Sequence, residues 1–209
     1  MKIAVVGANG RVGSLIVKDL VAKGEEVTAI VRKMNKTDAQ HVILADAETV
    51  SARDLEGFDV VIDALGGWTA NTVSIIPEGE KHLADLLEGT KTKLYVVGGA
   101  GSLYVDPERK TMLMQTPDFP EIFVPVATAH GKALSDLKSR KDLNWVYIAP
   151  AADFQAEGKE TGNILESDDH FMVNKEGQSF ISYKDYAKAF VNEVLNGSHN
   201  RRQISYLSA

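Results

Sequence analysis

No cysteine occurs among the 209 residues. Disulfides, thiolate metal sites and cysteine nucleophiles are therefore excluded, and a reducing compartment suits the chain. Positive charge is in deficit: 23 Lys and Arg stand against 29 Asp and Glu, a formal net charge of −6. That balance argues against non-specific binding to nucleic acid or to an anionic membrane, although a local basic patch can still serve a phosphate. Arg201-Arg202 is too short to count as a nucleic-acid patch. No apolar run approaches the length of a membrane span. The histidines at 41, 82, 170 and 199 are scattered without metal spacing, and the acidic cluster Glu166, Asp168 and Asp169 reads as a solvated turn, so no metal is expected. No repeat or low-complexity segment is present. A strand begins at Lys2 with nothing resembling a signal peptide before it, so a cytoplasmic protein is expected.

What is present is concentrated at the start. Ile3-Ala4-Val5-Val6 is a short apolar run, and Gly7-Ala8-Asn9-Gly10-Arg11-Val12-Gly13 follows it with glycines at every third position. Val12, Leu15, Ile16 and Leu20 then fall on one face of a helix. This is the pattern of a strand, a phosphate-cradling turn and a helix N-terminus. The first glycine permits the tight turn, the second lets a pyrophosphate approach the backbone, and the third lets helix and strand pack closely. The unpaired N–H groups and the dipole of the helix start then face the anion.

Apolar β-branched runs recur at 26–31, 41–45, 58–63, 93–97 and 145–149, with helical patterns between most of them. Helices are expected near 50–55, from about Pro77 to Gly89, from Ile122 or Val126 to Arg140, and from Ser182 to Gly197. Short strands are expected near 163–165, 171–173 and 203–207. Residues 103–120, with three prolines, form the longest expected loop. The alternation predicts an α/β fold: a Rossmann-type doubly wound parallel sheet flanked by helices, in one domain over 1–209. Residues from about 151 to 209 form a small C-terminal extension on the substrate side. Ligands of such sheets lie over the carboxyl ends of the strands. That rule selects the loops 7–13, 32–36, 45–47, 64–68, 98–104 and 149–154.

The second strand ends Ile30-Val31-Arg32-Lys33, where an NAD site would carry an acid for the ribose hydroxyls. A guanidinium attracts the 2′-phosphate that a carboxylate would repel. Arg32 therefore predicts NADP(H) in preference to NAD(H), and Arg11 could reach the same phosphate. Asp46 either borders the adenine or caps the next element. The expected cofactor-binding set is Gly7, Asn9, Gly10, Arg11, Val12, Gly13, Arg32, Asp46, Ala64, Leu65, Gly66, Gly98 and Pro150. Trp68 and Phe154 are candidate walls of a substrate pocket.

The glycine loop, the Val31-Arg32 strand end and Val97-Gly98-Gly99-Ala100-Gly101-Ser102-Leu103 together resemble the atypical short-chain dehydrogenase/reductases. Within them the chain is similar to the NAD(P)H-flavin reductase group, related to biliverdin reductase B and to the NmrA-like proteins. Gly158–Gly162, Gly177–Ser182 and Asp185-Tyr186-Ala187 carry the likeness to the tail. The resemblance implies a Rossmann fold, bound NADP(H) and, in some members, reduction of flavin as a substrate. It implies a catalytic serine at Ser102 and a histidine acid at His130, with Tyr104 a further candidate. The alternatives are a turn serine, a packed core histidine and a loop aromatic. The superfamily's Tyr-x-x-x-Lys pair is broken: Lys132 falls near the lysine, but Thr128 holds the tyrosine position. Two functions follow. One is an NADPH-dependent reductase of flavin or another flat conjugated acceptor, a small-molecule enzyme of open oligomeric state. The other is a non-catalytic NADP(H) sensor of the NmrA-like type.

Overall fold

The computed structural model describes residues 1–209. Ten strands form: β1 (Lys2–Val6), β2 (Glu26–Val31), β3 (His41–Leu44), β4 (Val60–Asp63), β5 (Lys93–Val97), β6 (Asn144–Pro150), β7 (Asp153–Gln155), β8 (Ile164–Ser167), β9 (Phe180–Ser182) and β10 (Arg202–Ser208). Four helices accompany them: α1 (Arg11–Ala22), α2 (Ile75–Leu87), α3 (Val124–Ser139) and α4 (Tyr183–Asn196). The main sheet runs β3-β2-β1-β4-β5-β6-β10-β8. β10 is parallel to β6, and only β8 is antiparallel to its neighbour. The first six positions are the Rossmann order, with the switch point between β1 and β4.

Both faces of the sheet are covered, which is why its central strands are apolar at every position rather than at alternate ones. Ile3, Val5 and Ile62 pack under α1 and α4, through Ile16, Leu20, Tyr186 and Phe190. Ala4, Val6 and Val61 pack under α2 and α3, through Leu83, Leu87, Leu134 and Leu137. No helix is long and apolar enough to cross a membrane.

Two local expectations need correction. Residues 50–55 form no helix. Turns take their place, tied by Ser51 and Asp54, whose carboxylate accepts from both the Ser51 N–H (2.9 Å) and the Ser51 hydroxyl (2.6 Å). Side chains that satisfy the backbone locally compete with a helix. Residues 171–173 form no strand; Phe171 only donates its N–H to the Tyr104 carbonyl, 2.8 Å. The three-residue strands β7 and β9 pair with each other in a separate parallel ribbon. The tail is otherwise joined to the main sheet, because β10 lies between β6 and β8.

α4 starts as the sequence expects. The Ser182 hydroxyl accepts the Asp185 N–H at 3.0 Å. The Asp185 carboxylate in turn accepts from the Thr161 N–H and hydroxyl and the Gly162 N–H, at 2.9–3.0 Å. Burial opposes its charge, but these bonds hold its carboxyl below the usual range. They also anchor the 158–163 loop.

Candidate active site

The glycine loop leaves β1 at the switch point. Gly7 has φ +75°, and a β-carbon there would stand 2.7 Å from the Ala64 carbonyl oxygen. A β-carbon on Gly13 would lie 2.5 Å from the Gly7 oxygen. The Gly10 N–H closes the turn on Gly7 at 2.8 Å. The N–H groups of Arg11, Val12 and Gly13 have no backbone acceptor, and the first turn of α1 carries no acid. The result is a concave backbone surface with free donors and the positive end of a helix, which fits a pyrophosphate. Ala64, Leu65 and Gly66 form the facing wall. Ala64 is held by its N–H on the Val6 carbonyl, 3.0 Å, and the Leu65 N–H donates to Asp63 at 2.9 Å.

Asn9 spans two of the expected loops. Its amide donates to the Met34 carbonyl at 3.0 Å and accepts the Lys36 N–H at 2.8 Å. The side chain therefore clips the glycine loop to the turn after β2, which presents Arg32, exposed, beside it. Arg11 turns toward the extension, its guanidinium 5.5 Å from the centroid of Tyr183. Tyr183 packs at 4.1 Å on Phe154, which also meets Tyr186 at 4.9 Å. Phe154 thus belongs to an aromatic wall joining the extension to α4. Pro150 ends β6, buried beside it. The Asp46 carboxylate accepts the Glu48 N–H at 3.4 Å, and its main-chain carbonyl accepts the Thr49 and Val50 N–H groups.

At the end of β5 the glycines make room for rings. A β-carbon on Gly98 would run into Tyr147, and one on Gly99 would meet His130 Cδ2 at 2.9 Å. The Gly99 N–H donates to the Tyr147 hydroxyl at 2.9 Å. Ser102 needs correction as a catalytic candidate. It is fully buried, donating to the Gly99 carbonyl at 2.9 Å and accepting from Gln203 at 3.0 Å. In this arrangement its hydroxyl braces the turn and presents nothing to a substrate. Tyr104 also departs from expectation. Its main chain pairs with Asp169 and Phe171, and its ring lies beneath Lys138, in the last turn of α3. That position is far along α3 from His130.

His130 does face the glycine turn, its ring edge-on to Tyr147 at 6.5 Å. Its Nδ1 is buried without a partner, and burial lowers the ring to about 4, so it is neutral at pH 7. A neutral imidazole can offer a hydrogen bond but holds no spare proton to give. Thr128 and Lys132 stand exposed on the same helix. Trp68 is 65% exposed beside Gly66-Gly67.

The buried acids Asp63 and Glu80 escaped the sequence analysis. Asp63 ends β4 at 3% exposure, and burial pushes it up to about 7, against the Leu65 hydrogen bond. Glu80, on the inner face of α2, is fully buried with neither oxygen bonded; burial first, then the Asp63 charge, pushes it up to about 9. Its signal was present: Glu80 lies four residues after Ile76 and three before Leu83, on the apolar stripe of the helix. Asp168 and Asp169 are held by Arg109, at 3.2 and 2.9 Å.

Comparison with known proteins agrees with this geometry. A family model described as NAD(P)H-binding matches residues 7–196. The uncharacterized protein YwnB of Bacillus subtilis (strain 168) is 37% identical over 210 residues, covering 100% of this chain and 99% of that protein. A crystal structure from Streptococcus pneumoniae TIGR4, named a "putative NADH-flavin reductase", superposes with a TM-score of 0.97 at 44% identity, with 100% of each chain covered. A Bacteroides thetaiotaomicron structure named a "putative epimerase" gives a TM-score of 0.82 at 31% identity, covering 99% of this chain and 96% of that one. With its free-donor loop over the switch point of a Rossmann sheet and a family match across nearly its whole length, the chain belongs to the NAD(P)H-binding family.

Proposed function

We propose that the protein is an NADPH-dependent reductase whose acceptor is a free flavin or another flat conjugated molecule. The observation that carries the coenzyme choice is Arg32. It is exposed at the end of β2, and no acid occurs from Ile30 to Lys36. A fork of guanidinium donors suits a 2′-phosphate. The Streptococcus pneumoniae name specifies NADH; Arg32 argues for the phosphorylated form here.

When bound, reduced nicotinamide supplies the hydride. The chain's own residues hold and shield. The glycine loop and the start of α1 receive the pyrophosphate, and Asn9 fixes the loop that carries Arg32. Trp68 offers an indole face at the open side, where a flat acceptor can stack. The lack of a phenol at Thr128 and the neutral state of His130 leave alcohol–ketone chemistry without its usual proton relay. An acceptor that takes its proton from water is compatible with that lack.

A second function, an NADP(H) sensor without turnover, is favoured by the burial of Ser102. One experiment separates them. Protein is mixed with NADPH and FMN, FAD or riboflavin, and nicotinamide absorbance is followed. A reductase oxidises NADPH above background. A sensor turns nothing over and binds NADP+ and NADPH with different affinity. In the same assay Arg32→Ala weakens NADPH roughly tenfold or more and NADH far less, in line with loss of a charge-assisted contact. Equal losses for both coenzymes overturn the role of Arg32.

A further inference from the structure

A second basic feature lies at the amino ends of β6 and β10, whereas the glycine loop follows the carboxyl end of β1. Trp145 near the start of β6, Arg202 at the start of β10 and Arg140 just after α3 all border one cleft of about 350 Å³. That is the lower end of the range for small-molecule sites. Arg109, Lys138 and Arg201 complete its cationic lining, and Asp168 and Asp169 are its only acids. Five cations converging on one cleft are notable in a chain of net charge −6.

Among the residues that line the cleft, five cations face two acids. Both acids are taken up by Arg109. Arg140 is taken up from outside the cleft by Asp85, Asp136 and Glu88, at 2.6–3.0 Å. Lys138, Arg201 and Arg202 have no carboxylate partner. Burial lowers the Lys138 ammonium; Asp169 opposes that effect and Arg109 adds to it.

Three further observations mark the cleft as built. Arg109 and Arg201 have φ of +54° and +51°, and they are the only non-glycine residues of the chain with left-handed backbone. Such backbone is strained for arginine, and strain of this kind clusters at functional sites. The Arg201 side chain is preset, its Nε donating to the Leu143 carbonyl at 3.0 Å and leaving its terminal nitrogens free. Gln203 lines the cleft at 4% exposure, and its Oε1 is buried without a partner.

We propose that this cleft is a second anion site, separate from the coenzyme groove, that binds a phosphate-bearing small molecule. Two guanidinium groups and an ammonium suit a dianion with several acceptor oxygens, where a single carboxylate would leave charge unmatched. The site does not depend on the reductase function.

The test uses the two tryptophans of the chain. Trp145 lines the cleft and Trp68 stands near the groove, so their indole N–H signals in a proton–nitrogen spectrum report on the two regions separately. The intact protein is titrated with inorganic pyrophosphate and, separately, inorganic phosphate, with sodium chloride at matched ionic strength as control. The Trp145 indole and the amides of 201–203 should move saturably with either probe. Similar midpoints for the two probes indicate a site for inorganic phosphate; tighter pyrophosphate binding indicates a larger phosphorylated ligand. Lys138→Gln with Arg202→Gln should raise the midpoint roughly tenfold or more, and Arg202→Gln alone several-fold. Arg11→Gln, in the glycine loop, should leave it unchanged. Neither cleft residue belongs to the packed core, and the spectrum itself reports whether the fold persists. No saturable movement, equal movement with chloride, or an unchanged midpoint in the double variant overturns the site.

Discussion

Glu80 is buried as an acid with nothing to bond it, and that sets a pH dependence of definite sign. Its folded-state value near 9 exceeds the ordinary carboxylate value. The unfolded chain therefore releases a proton that the folded chain retains, and each rise in pH between the two values favours unfolding. The contribution is intact below the ordinary value and lost as pH climbs toward about 9. Glu80→Gln cannot ionise. Relative to wild type it should gain about 2–3 kcal/mol between pH 6 and pH 8. Urea midpoints of the two proteins at several pH values provide the check, and parallel profiles would show that Glu80 is charged in the fold. At this scale the sequence was uneven as a guide. The glycine turn was legible because its geometry depends on neighbours in the chain. Ser102 was not, because what occupies its hydroxyl is Gln203, 101 residues away. Tyr104 was misplaced for the same reason: its partners are on the 169–171 turn and on α3.

Among the elements, the turn after β5 is organised by contact with β6. The absence of a side chain at Gly98 and Gly99 makes room for Tyr147 and His130. Gly98→Ala drives a methyl into the Tyr147 ring, which the Gly99 N–H holds in place. We expect a loss of roughly 1–3 kcal/mol, typical of overpacking, seen as a lower thermal midpoint. Tyr147→Leu in the same chain should relieve much of the loss, and strict additivity would mean that the ring is not the obstacle. Long periodic elements were legible to within a few residues: α4 from its Ser182 cap and apolar stripe, and β1 and β2 from their apolar runs. The misses were short. β7 and β9 have three residues each and exist through pairing with one another, which leaves no periodic signal. The 50–55 helix failed because Ser51 and Asp54 closed a local turn.

For the whole molecule, the Rossmann order was legible from alternation alone, whereas the course of the tail was not. Because β10 pairs with β6 on one side and β8 on the other, the tail and the sheet should lose structure together. Calorimetry should give one endotherm with equal calorimetric and van't Hoff enthalpies. Two endotherms would mean that the tail melts as its own unit. The strand order bears on exchange of parts between relatives. Residues 151–201 carry the aromatic wall and the loop anchored by Asp185, so they are the natural segment to transplant when the proposed acceptor role is tested. The cut cannot be made at 151 with everything after it treated as cargo. Residues 202–208 are a structural rib of the recipient's own sheet and must match β6, while the transplanted β8 must match them in turn. The tail is threaded through the scaffold, and a successful chimera has to respect two seams instead of one.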